Sequence, residues 1–129
     1  MAEVTAWGEQ NNPMETQDPV AALVLLGWLS AGLLALIAVI CLAAKRGSLT
    51  VNPMVGLRLP SLMRDEESWR VGHAAALMPA LAALALAVTF DLIGLVALPA
   101  YWVAIATFVA GLVVIVVRAS KAAGLSSGA

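Results

Sequence analysis

Charged residues are scarce in this chain. Only 12% of its 129 residues are Asp, Glu, Lys or Arg, and 62% are hydrophobic, whereas a soluble domain has about 25% charged residues. A chain this apolar has too few polar residues to form the surface of a water-soluble protein, which indicates an integral membrane protein. Seven basic and eight acidic side chains leave a formal charge of −1. The chain therefore has no basic surface for nucleic acid, and we expect no nucleic-acid binding.

Cysteine and histidine each occur once, as Cys41 and His73. One thiol cannot form an intrachain disulfide, and one imidazole without a close Cys or carboxylate makes a poor metal site. The sequence also lacks a Ser–His–Asp set, a carboxylate pair and a glycine loop that could hold a phosphate. We therefore predict no metal, no cofactor and no enzymatic activity.

Long apolar runs define an all-α fold with three transmembrane helices. Residues 20–44 carry no charge and would form a helix of about 37 Å, enough to cross a hydrocarbon core of about 30 Å. Residues 74–117 carry only Asp91 and would reach about 66 Å, so this run must fold back. A carboxylate is least costly at the membrane surface, and Gly94 and Pro99 favour a turn, so we place the bend near residues 91–98.

Six segments follow from this interpretation. The predicted segments are an acidic tail over 1–19, helices over 20–44, 66–90 and 98–117, a loop over 45–65 and a C-terminal tail over 118–129, with mobility expected over 122–129. The basic residues lie at one end of the helices: Lys45, Arg46, Arg58, Arg64, Arg70, Arg118 and Lys121. The positive-inside rule places this end in the cytoplasm, and the N-terminus and Asp91 outside. Asp91 then has a topological role.

The loop between the first two helices carries most of the local signals. Asn52-Pro53 favours a turn, Gly56 relaxes the backbone, and Pro60 biases its predecessor towards an extended conformation. Asp65 can cap the second helix. Glu66 and Arg70 stand four residues apart, in the order that favours an ion pair on a helix.

Three side chains near this loop have two interpretations each. Arg58 could bind a carboxylate or a phosphate, or it could be a positive-inside residue paired with Asp65 or Glu66. Trp69 reads more readily as an interfacial anchor than as a ligand platform. His73, on the same helix face as Trp69, could titrate as part of a functional site. We favour instead a hydrogen bond from His73 to the loop, which would hold the motif closed.

These residues together resemble the signature of the SdpI family. Its pattern is Asn, three residues and Gly-Ile-Arg-Thr-Pro, then a helix start that ends in Trp, three residues and His. The corresponding residues here are Asn52, Gly56, Leu57, Arg58, Leu59, Pro60, Glu66, Glu67, Trp69 and His73. Leu59 replaces the usual Thr, and Ser61-Leu62 replaces a longer stretch that contains an aromatic residue. Larger members have an additional membrane half.

The resemblance implies a bacterial cell-membrane protein with three spans and a cytoplasmic motif. It also implies a role in which the protein protects the cell from a secreted toxin and holds a transcriptional repressor at the membrane. The partner-binding residues implied are Asn52, Gly56, Arg58, Pro60, Trp69 and His73. Besides the lipid bilayer, the partners would be a peptide toxin, a cytoplasmic repressor or another membrane protein.

Other functions remain open. The chain could be a small accessory subunit of a larger membrane complex. The small-residue face formed by Gly27, Ala31 and Ala35 would pack helices closely within the chain, or join two copies in a homodimer. Conduction of a proton or solute past His73 and Pro79 ranks last, because three short helices with one ionisable group below the surface offer no continuous polar path.

Overall fold

The computed structural model describes residues 18–126, which form three helices joined by one long loop and one short turn. The helices are α1 (Pro19–Lys45), α2 (Glu66–Gly94) and α3 (Ala100–Ser126). Each is long and apolar enough to cross a membrane, and the described residues contain no strand. The predicted all-α architecture with three membrane spans is confirmed.

Side-chain caps set the starts of the first two helices. The Asp18 carboxylate accepts a hydrogen bond from the Val20 N–H at 2.9 Å, and Pro19 occupies the first helical position, where no N–H is needed. Asp65 accepts from the Ser68 N–H at 2.7 Å. The predicted N-terminal tail, apart from Asp18 and Pro19, lies outside the described residues.

Small residues bring the three helices close together, and α2 packs against both of the others. The buried surface of α2 is largely alanine, and a Cβ added to Gly111 of α3 would lie 2.6 Å from the Ala83 Cβ. Larger side chains such as Leu25 and Val39 point outwards, as expected where lipid replaces water. Gly27 and Ala31 are buried within the chain, and Ala35 of the same face is half-buried.

The second helix extends four residues beyond its predicted end at residue 90. Asp91 is fully buried in the last turn of α2, which continues to Gly94. The bend is the short segment 95–99, of which Val96 is 91% exposed. Asp91 still lies within one turn of the bend, so its topological role stays a prediction, and the structure adds that its side chain is buried within the protein.

The third helix begins two residues later than its predicted start at 98, and at its other end it continues past 117 through most of the predicted C-terminal tail. Ala119 and Ala123 are fully buried beside the loop end of the bundle. Arg64 donates to the Ala123 carbonyl at 3.3 Å, which fixes the last turns of α3. Arg118 and Lys121 are exposed, so these charges do not oppose continuation of the helix.

We expect opposite effects from the same substitution at two helical glycines. Gly111→Ala forces a methyl group against Ala83 and should lower the unfolding free energy by about 1–3 kcal/mol, the usual cost of overpacking. Gly32→Ala meets nothing within 4 Å and should be neutral or stabilise the protein through helix propensity. Unfolding in mixed micelles of increasing denaturing-detergent content measures both. Equal effects at the two sites would contradict the close approach of α2 and α3.

Candidate functional site

The motif loop, residues 46–65, begins with a turn built by Asn52. The Asn52 Oδ1 atom accepts hydrogen bonds from the N–H groups of Met54 at 3.0 Å and Val55 at 2.7 Å. The amide nitrogen donates to the Thr50 carbonyl at 2.8 Å. The Asn52 side chain thus binds the backbone both before and after the turn, as Asn side chains commonly do in turns.

Two side chains in the first turn of α2 hold the loop by its backbone. The Trp69 indole N–H donates to the Leu49 carbonyl at 2.9 Å, and the Glu66 carboxylate accepts from the Val51 N–H at 3.0 Å. Trp69 is fully buried, so the interpretation as an interfacial anchor is wrong: its helix face is covered by the loop rather than by headgroups. Glu66 binds the loop backbone, and Arg70 forms no ion pair among the described residues, so the predicted Glu66–Arg70 pair is also wrong.

His73 joins the loop to α2 from inside the protein. Its Nε2 atom lies 3.0 Å from the Leu57 nitrogen, and its Nδ1 atom lies 2.8 Å from the Trp69 carbonyl oxygen. The Leu57 N–H can only donate and the carbonyl can only accept, so the ring is neutral with its proton on Nδ1. This geometry agrees with the hydrogen bond expected from the sequence.

Gly56 is required by this contact for two separate reasons. Its φ is +112°, a backbone conformation that L side chains rarely adopt. A Cβ at this position would lie 2.4 Å from the Trp69 ring and 3.0 Å from the His73 Nε2 atom. The Trp69 and His73 rings lie with centroids 4.2 Å apart, and the Gly56 backbone packs against both.

The second half of the loop turns at Pro60 and inserts one leucine. The Leu59 carbonyl accepts from the Leu62 N–H at 2.9 Å, with Pro60 at the second position of the turn, where its fixed φ fits. Leu62 is fully buried, and a Cβ on Gly72 would lie 2.5 Å from its Cγ. Sequence reasoning missed this pair, although Gly72 shares the helix face of Trp69 three residues earlier.

Arg58 is the motif residue whose side chain the loop leaves outside. It is exposed and has no hydrogen-bond or ion-pair partner within residues 18–126. The predicted partners are engaged elsewhere, since Asp65 caps α2 and Glu66 binds Val51. The paired interpretation of Arg58 is therefore wrong. Met54, four residues earlier on the same loop, is 83% exposed.

The structure thus divides the six predicted site residues by role. Asn52, Gly56, Trp69 and His73 shape and hold the loop, Pro60 sets its second turn, and Arg58 alone presents a free charged group. Within the described residues, no group of three or more His, Cys, Asp or Glu side chains could hold a metal ion.

The family follows from a comparison with family models. The model described as the SdpI/YfhL protein family matches residues 48–119, more than half of the chain. The chain belongs to the SdpI/YfhL protein family. Comparisons with curated proteins and with solved structures gave no significant match. The SdpI/YfhL match covers most of the motif loop, all of α2 and most of α3. The contacts between the motif loop and α2 therefore lie within the part of the chain that matches the family.

We expect Gly56→Ala to loosen the SdpI/YfhL motif loop far more than Gly47→Ala. Both residues have positive φ, but only Gly56 also faces a ring, whereas nothing lies within 4 Å of the Gly47 position. Backbone strain alone costs about 1 kcal/mol, and the collision adds to it. Limited trypsin digestion, followed by fragment mass, measures cleavage after Arg58. Equal cleavage rates in the two variants would contradict the packing of Gly56 on Trp69.

The cap of α2 should depend on pH. The Ser68 N–H, with a smaller contribution from Arg64, holds the pKa of Asp65 below its ordinary value. The stabilisation by the ionised cap is therefore complete above the ordinary carboxyl pKa and is lost as pH falls through the lowered one. Amide hydrogen exchange at residues 66–69 should quicken in Asp65→Ala at neutral pH. Asp65→Asn should keep these amides protected from exchange, with a weaker pH dependence. Amide exchange that is unchanged in Asp65→Ala would contradict the cap.

Proposed function

We propose that this SdpI/YfhL protein recognises a membrane-active peptide, or a cytoplasmic protein partner, through its motif loop. It would thereby protect the cell from the peptide or signal its presence. The observation that carries this proposal is the free guanidinium of Arg58 on a loop whose backbone is fixed on both sides. The family's association with toxin immunity supports the same role.

The fixed backbone favours binding by Arg58. Leu57, immediately before it, is held by His73, and the Leu59 carbonyl immediately after it closes the Pro60 turn. A group presented on an ordered segment loses less conformational freedom when it binds. The structure thus orders the loop before any partner arrives, although the Arg58 side chain itself remains exposed.

The exposed residues near Arg58 suggest the chemistry of the partner. Met54 and Val55 are exposed apolar side chains on the same loop. Methionine and arginine are both enriched in protein interfaces, and the guanidinium fork matches a carboxylate in two parallel hydrogen bonds. We therefore propose a peptide or protein segment that offers a carboxylate next to an apolar side chain.

The site of action follows from the distribution of charge. We propose that the chain lies in the bacterial cell membrane with the motif loop and the C-terminus in the cytoplasm. Support comes from the basic residues, all of which lie at the loop end of the bundle. A peptide that enters the bilayer would meet the helices, and a soluble partner would meet the loop.

Arg58→Gln should abolish protection while Arg118→Gln preserves it. Both substitutions remove one exposed positive charge from the same end of the bundle. A difference in protection between the two variants therefore reports the loss of the Arg58 site and not the loss of charge. Loss of a charge-assisted hydrogen bond of about 1.5–3 kcal/mol corresponds to at least about tenfold weaker binding. The peptide concentration that halves growth is compared at equal protein level, with a peptide against which the wild-type chain protects.

A photoreactive amino acid at Met54 identifies the partner in the same cells. Cross-linking should fall in the Arg58→Gln background and persist with Arg118→Gln. Full protection by Arg58→Gln would overturn the proposed site. A stoichiometric cross-link to a transporter or enzyme, unaffected by peptide, would favour the accessory-subunit function instead.

The proposed orientation can be tested with variants that each carry one added cysteine, because the native Cys41 is fully buried and should not react. Val96→Cys and Met54→Cys place thiols at the two most exposed large hydrophobic positions, at opposite ends of the bundle. A membrane-impermeant maleimide should label Val96→Cys in intact cells and Met54→Cys only after permeabilisation. The reverse pattern would contradict a cytoplasmic motif loop.

A further inference from the structure

A second polar cluster lies at the end of the bundle opposite the motif loop. Asp91 of α2 and Tyr101 of α3 are buried to 0% and 1% exposure, and both pack against Gly27 of α1. A Cβ on Gly27 would lie 2.4 Å from the Asp91 Oδ1 atom and 2.7 Å from the Tyr101 ring. The ring also covers Gly94. All three helices therefore meet around one carboxyl group and one phenol.

The polar atoms of this cluster have no partners among the described residues. Both carboxyl oxygens of Asp91 and the Tyr101 hydroxyl are buried without a hydrogen bond. Ser30, which is buried one turn along α1, donates its hydroxyl to the Gly27 carbonyl at 2.7 Å. Buried polar groups are nearly always hydrogen-bonded, and a buried carboxylate needs a donor or a cation.

The rest of the chain cannot supply a basic side chain to Asp91. Residues 1–44 and 71–117 contain no Lys or Arg, and every basic residue lies at the loop end. The distance from His73 to Asp91 along α2 is about 27 Å at 1.5 Å per residue, too far for any of those side chains. Asp18 adds another negative charge at this end. No Lys or Arg side chain of the sequence is therefore placed to pair with Asp91.

We propose that Asp91 and Tyr101 form a binding site for a cationic N–H donor, an ammonium or guanidinium group carried by an amphipathic ligand. The carboxylate provides the charge and two acceptors, and the phenol oxygen provides a third. Leu95, Val96 and Trp102 form an exposed apolar rim at this end, which suits an apolar carrier. The absence of a side chain on Gly27 is what lets the Asp91 carboxyl group and the Tyr101 ring approach α1 so closely.

This site is independent of the motif loop and differs from it in charge. The loop offers a guanidinium to an anion, and the Asp91 cluster offers a carboxylate to a cation. Loss of one should leave the other intact, so Arg58→Gln should not change binding at Asp91.

The test uses decylammonium as the probe and carbon-13 in the aspartate side-chain carboxyl groups as the reporter. The chain contains three aspartates, Asp18, Asp65 and Asp91, so the protein in nanodiscs gives three resonances. Asp18→Asn and Asp65→Asn assign the Asp91 resonance even if Asp91→Asn does not fold. We expect the Asp91 resonance to shift and saturate with decylammonium, while the other two follow only its partition into the bilayer.

Matched probes and variants separate a site from general charge effects. Decyltrimethylammonium has the same charge and chain but no N–H, and it should bind at least about tenfold more weakly. Tyr101→Phe, which keeps the ring, should weaken decylammonium binding by about fivefold. Asp18→Asn, an equivalent change at the same end, should have no effect.

Three results would overturn the proposal. An Asp91 resonance that ignores decylammonium would show that no such cation enters. Equal shifts with sodium chloride at matched ionic strength would indicate a metal cation or screening rather than an N–H donor. Equal affinity for decylammonium and decyltrimethylammonium would show that hydrogen bonding has no part.

Discussion

His73 connects the motif loop to the membrane helices through two hydrogen bonds of opposite direction. Its Nε2 atom accepts from Leu57, and its Nδ1 atom donates to the Trp69 carbonyl. Only the neutral ring protonated at Nδ1 satisfies both partners, because protonation at Nε2 would set two N–H groups against each other. The position of the loop thus depends on one tautomer of one side chain. Gly56 is needed because any Cβ would collide with this ring and its neighbour.

The rest of the loop is organised around that contact. Trp69 packs on the His73 ring and donates a hydrogen bond to the Leu49 carbonyl. Asn52 reverses the direction of the chain between Leu49 and Gly56. Leu62 fills the space above Gly72 on the next turn of α2. Arg58 remains outside, on a backbone that these contacts have already ordered. The opposite end of the bundle is different: there the helices meet around Asp91, an acceptor without a donor among the described residues. The two ends therefore differ in kind: an exposed guanidinium on the loop at one end, and a buried carboxyl group between the helices at the other.

Much of the fold could be predicted from hydropathy, because an uncharged run longer than a bilayer permits few arrangements. The start of α2 at Glu66 was predictable from Asp65, which is a standard cap. The end of α2 was not: a carboxylate is expected at the surface, and only the packing around Gly27 shows Asp91 buried. The motif included both His73 and Gly56 among its six site residues, but it did not show that Trp69 lies under the loop. That fact depends on the path of the loop, which local sequence does not determine.

The hydrogen bond between Leu57 and His73 tests the account most directly. In nitrogen-15-labelled protein, a scalar coupling across this bond should connect the Leu57 amide nitrogen to the His73 Nε2 atom. The Nδ1 resonance should be that of a protonated nitrogen, and the Leu57 amide should exchange slowly with solvent. A His73 ring protonated at Nε2, together with a Leu57 amide that exchanges as fast as a free loop amide, would contradict a loop held by this imidazole.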